Sequence, residues 1–245
     1  MQPITKIFKK RLKSTNLYAD KLVSSGRLKE PAWIRTDDQF AGKGQGDHAW
    51  VSEPGKNLTG SLVLFPQGLS GSDQFVISMV LSLAAADFLE LFLDNVSIKW
   101  PNDLYAGNRK IGGILIETAI MGSSVKYAVL GIGLNINQTV FPSDLPNPVS
   151  LTLLSGTTFV LDELEDLFLE SFRNRYRMIE QNQLTLIRQE YLKRLYRFRE
   201  FAPYHSGGKW FRAKITGISR FGHLVLEDEN GKVREFAFQE VDFIY

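Results

Sequence analysis

The 245-residue chain predicts an α/β protein, with helices packed on a central mixed sheet and a small β-barrel at the C-terminal end. Three observations predict it. VSIKW (96–100) alternates apolar and polar residues, and VKYAVLGIGLNIN (125–137) is a nearly all-apolar strand. Apolar residues recur at helical spacing over 73–93 and again between Leu164 and Phe198. From Lys209 onward only short strand-like runs and turns remain. The expected organisation is a larger unit over 1–200 and a barrel unit over 201–245.

Taken in order, Ser14-Thr15-Asn16 precede a short helix reaching about Arg27, and PAWIRT (31–36) reads as a strand. Residues 37–57 are rich in glycine and polar side chains, a loop of the length that carries function or moves. NLTGSLVLF (57–65) is a strand ended by Pro66, and Ser70 or Ser72 caps the helix 73–93. That helix holds the most apolar stretch of the chain, but Asp87 and Glu90 mark it as a buried core helix rather than a membrane span. In 96–100, Val96, Ile98 and Trp100 share one face and Lys99 takes the other. Residues 103–105 and 109–117 form two strands joined at Ala106-Gly107-Asn108. Asp162 with Glu165 reads as a capping box for the next helix, whose pattern runs through Leu164, Leu167, Phe168, Phe172, Tyr176 and Ile179. Ile187, Tyr191, Leu192, Leu195 and Phe198 repeat the spacing until Pro203 breaks it. KWFRAKITGI, HLVLED, VREFAF and VDFIY, with a turn at Glu229-Asn230-Gly231, suggest a five-stranded barrel.

Composition narrows the chemistry. A hydrophobic fraction of 44% and a charged fraction of 23% are those of a soluble globular protein. The absence of cysteine removes disulfides, thiolate catalysis and Cys-based zinc sites, and suits a cytoplasmic protein. MQPITKIFKKRLK (1–13) is basic but has no apolar run of the signal-peptide kind, so no membrane association is expected. A net charge of +2 does not call for a polyanionic partner. Residues 171–200 nevertheless hold eight Arg and Lys against three Glu; a solvated helix face accounts for this, and a docking surface for an acidic protein is the alternative. His48, His205 and His223 lack metal-ligand spacing, so no structural metal site is expected.

Three clusters carry the functional signal. KWPNDLYAGNRKIGG (99–113) packs Lys99, Asn102-Asp103, Lys110 and Gly112-Gly113 together, with Lys110 expected on the same strand face as Gly112. DDQFAGKGQGDHAW (37–50) alternates Gly42, Gly44 and Gly46 around Lys43, a loop whose amides suit a phosphate although it is not a Walker A sequence. GIGLNIN (131–137) offers glycines for close approach and Asn135 for a base or ribose. Each cluster alone also reads blandly, as a charged hairpin, a flexible linker and a thinned core strand. With cations and glycines but no evident nucleophile, the set suits activation of a carboxylate by ATP.

STN (14–16), Q-x-AGKGQG…W (39–50), KWPND (99–103), KIGGILIE (110–117) and GIGLNIN (131–137) occur in the order and spacing of the biotin protein ligases, which the chain resembles over about residues 5–245. The resemblance implies a catalytic domain related to class II aminoacyl-tRNA synthetases plus an SH3-like barrel. It implies that biotin and MgATP give biotinyl-5′-AMP and pyrophosphate, and that a lysine of a biotin carboxyl carrier domain, as in acetyl-CoA carboxylase, then attacks the mixed anhydride. ATP with Mg2+ and biotin are then substrates, and no tightly bound cofactor is implied. Carried over by position, Ser14, Thr15, Asn16 and Gln39 bind the ureido ring, and Gly112 and Gly113 line the biotin channel. Lys43, Gly44 and Gln45 close over the adenylate with Asn102 and Gly131, and Trp50 and Asn135 contact adenine. Lys110 stabilises the reacting carboxylate and phosphate, and Asp103 positions the metal or the incoming lysine.

Two departures stand out. Many family members carry Arg-Gly-Arg where this chain has Lys43-Gly44-Gln45, which predicts weaker retention of biotinyl-AMP. The motifs also begin at residue 14, so no N-terminal DNA-binding domain and no DNA partner are expected. A lipoate or octanoate ligase of the same fold is the nearest alternative, and a non-catalytic binding module is another. Exposed sheet edges allow a homodimer.

Overall fold

The computed structural model describes residues 2–46 and 48–244; Met1, Asp47 and Tyr245, the last residue of VDFIY, lie outside the described residues. Seven strands form the central sheet in the order β1-β2-β5-β9-β8-β7-β6, with β1 and β2 parallel and every other pair antiparallel. They are β1 (Thr5–Leu12), β2 (Ala32–Gln39), β5 (Leu58–Leu64), β6 (Val96–Lys99), β7 (Asp103–Ala106), β8 (Arg109–Met121) and β9 (Ser124–Leu134). Two short strands, β3 (Gly42–Lys43) and β4 (Ala49–Trp50), pair with each other in the loop after β2. The mixed sheet of the expectation is therefore present.

The two faces of the sheet are used differently. One is buried by α2 (Phe75–Leu89), α4 (Leu161–Glu180) and α5 (Leu184–Lys193), around Trp33, Phe88, Phe168, Phe172 and Tyr191. On the other, α1 (Thr15–Ser24) seats Ala19 against Ile34, Val63 and Val129 of β2, β5 and β9 only. The β9-β8-β7-β6 part of that face is left for the site. A short α3 (Leu151–Ser155), capped by the Ser150 hydroxyl accepting from Leu153 N–H, follows the loop after β9. The segment 71–89 is long and apolar enough to cross a membrane, but most of it is buried inside the fold.

Five further strands form a separate antiparallel sheet, ordered β13-β12-β11-β10-β14. They are β10 (Ala202–Ser206), β11 (Lys209–Ile218), β12 (Leu224–Asp228), β13 (Val233–Phe236) and β14 (Asp242–Phe243). Tyr204, Phe211, Phe236 and Phe243 pack their rings at its centre.

Several expectations are corrected. The basic N-terminal run, to which the sequence reading assigned no element, forms the edge strand β1; its lysines and arginine are tolerated because an edge strand is open to solvent. Ser70 caps a single 3-10 turn, Gly71–Asp73, instead of the long helix, which starts at Phe75 and stops at Leu89. Asp162 and Glu165 form no capping box. Val160 holds the N-cap position, and both carboxylates turn to Arg35 at 2.6 and 3.1 Å, where a guanidinium gives a stronger partner than a backbone amide. Leu195 and Phe198 lie beyond α5, bridging to β6 and to β11. Pro203 sits in β10 near its start, a position where a strand does not need the missing N–H.

Candidate active site

A cavity of about 510 Å3 lies on the open half of the sheet, roofed by the glycine loop and by one end of the C-terminal sheet. Strand register lays its floor. Thr59 of β5, Gly133 of β9, Gly113 of β8, Asp103 of β7 and Lys99 of β6 are direct partners in one row, so their side-chain positions face the same way. Gly133 and Gly113 are bare because the Trp50 indole lies on them. A Cβ at Gly133 would fall inside the ring, and one at Gly113 would meet Trp50 at 3.5 Å. Trp50 Nε1 is buried without a hydrogen-bond partner, so this flat apolar shelf retains a donor for a ligand.

At the α1 end the cavity is a polar nest. The Thr15 N–H and hydroxyl both donate to Gln39 Oε1, at 2.8 and 3.1 Å. Asn16 Nδ2 donates to Glu117 Oε2 at 2.8 Å, and its Oδ1 lies 2.6 Å from Ser61 Oγ. A Cβ at Gly131 would lie 2.5 Å from Asn16 Oδ1, so this glycine makes room for the amide. Ser14 heads α1 without a side-chain cap bond and also lines the cavity.

At the other end stand the charges. Lys110 Nζ pairs with Asp103 Oδ1 at 2.6 Å, the two side chains being 32% and 19% exposed, so the pair is open to a ligand. A register shift places Ile111 as an extra residue in β8, between Lys110, opposite Tyr105, and Gly112, opposite Leu104. This corrects the expected parity. Lys110 shares its face with Gly113, whereas Gly112 faces Leu134 and Leu104 in the core and lies outside the cavity wall. The backbone of Lys110 is clamped from both sides: its N–H donates to Asn147 O and its carbonyl accepts from Val149 N–H. Asn135 Nδ2 donates to Val149 O at 3.1 Å, and Asn102 Nδ2 to Ile114 O at 2.8 Å. Both amides thus hold the cavity wall.

The glycine loop folds over this floor. Gly44 N–H donates to His48 O at 2.7 Å, and a Cβ at Gly42 would collide with Gln39 and Trp50. Lys43, Gly44 and Gln45 face the cavity, with Gln45 Oε1 buried and unpartnered. Phe238, Gln239 and Val241, in the connection after β13, and Asp242 and Phe243 of β14 complete the wall. Among the described residues no group of three His, Cys, Asp or Glu is placed to hold a metal.

Apart from Gly112, every residue given a substrate role from the sequence lines this one cavity, while Gly42 and Gly46 of the glycine loop lie outside its lining. Sequence reasoning missed Ser61, Glu117 and the aromatic and polar residues of 238–243, and it gave Gly133 close approach without placing it under Trp50. A serine inside the fully buried run LTGSLVL was the available signal for Ser61. Gly133 follows Gly131 at strand period, which was the signal for a shared face.

The sequence pattern of the biotin/lipoate A/B protein ligase family matches residues 8–135. A biotin–[acetyl-CoA-carboxylase] ligase of Paracoccus denitrificans is 32% identical over 91% of this chain and 94% of its own length. The bifunctional ligase/repressor BirA of Escherichia coli K12 is 29% identical over 88% of this chain and 67% of its own. The solved structure of a biotin protein ligase from Aquifex aeolicus, in complex with biotin and ATP, shares the fold with a TM-score of 0.79 over 98% of both chains at 22% identity.

Proposed function

The chain belongs to the biotin/lipoate A/B protein ligase family, and on that premise we propose that it is an ATP-dependent biotin protein ligase. It activates biotin as biotinyl-5′-AMP and transfers it to a lysine of a biotin carboxyl carrier domain. The observation that carries this reading is a single cavity with a polar nest at one end, a bare aromatic shelf on its floor and a lysine–aspartate pair at the other end. A bicyclic urea needs hydrogen-bonding groups around a small ring, and the Ser14-Thr15-Asn16 and Gln39 nest supplies them. An adenine needs a flat apolar face, and Trp50 supplies it, with Asn135 in the wall beside it. The unpartnered Trp50 Nε1 and Gln45 Oε1 fit a ligand that carries both acceptors and donors.

In the first step a biotin carboxylate oxygen attacks the α-phosphorus of MgATP and pyrophosphate leaves. Lys110 sits beside the reacting carboxylate and phosphate, and Asp103 fixes its ammonium. Positive charge placed before the reaction answers the charge that grows in the transition state. Lys43, with Gly44 and Gln45, closes over the phosphate. In the second step the carrier lysine amine attacks the acyl carbon and AMP leaves. Gly113 belongs to the substrate floor; Gly131 serves by admitting Asn16, and Asn102 by bracing β8. Magnesium enters with ATP as part of the substrate. The reading includes a cytoplasmic setting, where ATP and carboxylases meet, and a division into units 1–200 and 201–245.

Biotin-dependent ATP–pyrophosphate exchange, run beside lipoate and octanoate, tests the proposal. Exchange with biotin alone is expected. Exchange with lipoate or octanoate instead would keep the fold and overturn the substrate, and no exchange with any acid would overturn the enzyme reading.

A further inference from the structure

Two residues stand behind the polar nest rather than in the cavity lining: Ser61 of β5, fully buried, and Glu117 of β8, exposed. Between them sits the side-chain amide of Asn16. Its Nδ2 donates to Glu117 Oε2 at 2.8 Å and to the Leu115 carbonyl at 3.3 Å, and its Oδ1 lies 2.6 Å from Ser61 Oγ. A carboxylate only accepts, so it must face the NH2 group of the amide. The charged acceptor at 2.8 Å also outweighs the neutral carbonyl at 3.3 Å. Reversed, the amide oxygen would point at two acceptors. Glu117 therefore fixes which way round Asn16 stands.

That sense passes along a chain of hydroxyls, each with a single proton. Asn16 Oδ1 only accepts, so the Ser61 hydroxyl turns its proton to it. Ser61 Oγ also lies 2.7 Å from Thr15 Oγ1, which lies 3.1 Å from Gln39 Oε1. The Thr15 proton is held inside the nest by these neighbours, so Thr15 shows the cavity a lone pair. Gln39 Oε1 accepts from the Thr15 N–H and hydroxyl, which leaves Nε2 as the donating end of that amide. An acceptor beside a donor matches a cyclic urea, which carries N–H next to C=O. With Asn16 reversed, Nδ2 would donate to Ser61 and Ser61 to Thr15, and the Thr15 proton could turn to the ligand instead. We propose that Glu117 is a positioning residue: by orienting Asn16 it sets, through Ser61 and Thr15, the donor–acceptor pattern with which the nest selects a cyclic urea. The inference rests on the ligase reading and deepens it, assigning ring selectivity to a carboxylate outside the cavity.

The test compares the full-length protein with Glu117→Met, which removes the acceptor, and Glu117→Gln, which keeps an acceptor oxygen. Calorimetry measures the dissociation constants of biotin and of 2-iminobiotin, whose ring bears a C=NH donor where biotin has its carbonyl. Exchange kinetics give KM for MgATP. For Glu117→Met the expected result is a rise of about tenfold in the biotin constant, on the scale of one charge-assisted hydrogen bond. 2-Iminobiotin should lose less, so the preference for biotin over it narrows by about threefold or more. KM for MgATP should stay within about twofold, since the nest lies at the opposite end of the cavity from the charged pair. Glu117→Gln should recover most of the loss. Ser61→Ala should weaken biotin binding too, and adding Glu117→Met to it should cost little more, because both act on one chain. Unchanged biotin affinity in Glu117→Met would overturn the proposal. So would an equal loss for the two ligands, or full additivity with Ser61→Ala, either of which would make Glu117 merely structural. Failure of the wild-type protein itself to bind biotin would overturn the ligase reading, and this inference with it.

Discussion

Lys110 reaches the cavity only because Ile111 bulges out of the ladder and returns to the core, where it is fully buried. Lys110→Ala is expected to lower the rate of exchange by about 10²- to 10³-fold, the usual loss for a charge-stabilising group. Biotin affinity should change little, and a comparison of exchange kinetics with calorimetric binding checks this. Gly133→Ala would push a methyl into the Trp50 ring, and the expected signature is a raised KM for MgATP with biotin affinity near normal. In the loop, a Lys43→Arg, Gln45→Arg double variant should slow release of biotinyl-AMP by roughly tenfold, since each guanidinium can fork onto the phosphate. Stopped-flow displacement of the adenylate measures it. At this scale the sequence displayed the residue types but not their facing. The register shift at Ile111 depends on pairing with β7, which no local pattern encodes, and so Gly112 was expected where Gly113 stands.

The helices pack through their apolar faces and are tied to one another by ion pairs that the sequence showed only as a surplus of charge. Three of the eight cations of the basic segment 171–200, Arg175, Arg188 and Arg194, are held in described ion pairs. Arg175 of α4 donates to Asp87 of α2 and to Glu190 of α5, and Arg194 reaches Asp87 and Glu90 at 2.9 and 2.8 Å. The solvated-face reading does not describe Arg175, Arg188 and Arg194, whose counter-charges Asp87, Glu90 and Asp73 come from elements distant in sequence, whereas Arg177, Lys193 and Arg199 are exposed as it expects. The two carboxylates push the Arg175 pKa above its ordinary value, with the Asp87 hydrogen bond the leading cause. Arg175→Met should destabilise the fold by about 2–3 kcal/mol by stranding partly buried carboxylates, measurable in urea unfolding. The helix spans themselves were legible because their apolar periodicity is local. Caps and ends were not, since Glu165 and Asp162 answer to Arg35 and Lys6 across the sheet.

Across the whole molecule, the apolar core runs on from the central sheet and its helices into the C-terminal sheet, and specific polar contacts lock the two together. Arg220, in the turn between β11 and β12, and Arg188 of α5 both pair with Asp73, and Trp100 Nε1 donates to Gly222 O at 2.9 Å. Gly222, at φ +91°, lies so close to Phe75 that a side chain could not be added. The Arg220 hydrogen bond, ahead of the opposing effect of burial, holds the Asp73 carboxyl below its ordinary pKa of 3.8. A depressed carboxylate pKa stabilises the fold above the unfolded value and loses that contribution as pH falls through the folded one. Asp73→Asn should therefore cost about 1–2 kcal/mol near neutrality, a gap that narrows as pH falls below 3.8 and closes below the still lower folded value. Denaturant midpoints of the two proteins against pH check it. That two units exist was legible from the change in spacing after Pro203; how they lock was not, because no periodicity reports a contact between residues more than a hundred apart. The shelf at Gly113 and Gly133 has an optical consequence as well. Of the four tryptophans, Trp33 is fully enclosed and Trp210 is largely in water, while Trp50 and Trp100 both line the cavity, Trp50 with its ring on the floor glycines and Trp100 bonded to a carbonyl. The Trp50 emission should shift when a base stacks on it, while Trp33 and Trp210 supply a steady background. The protein thus carries its own fluorescent gauge of occupancy, and Trp50→Phe should silence the signal without quenching the rest.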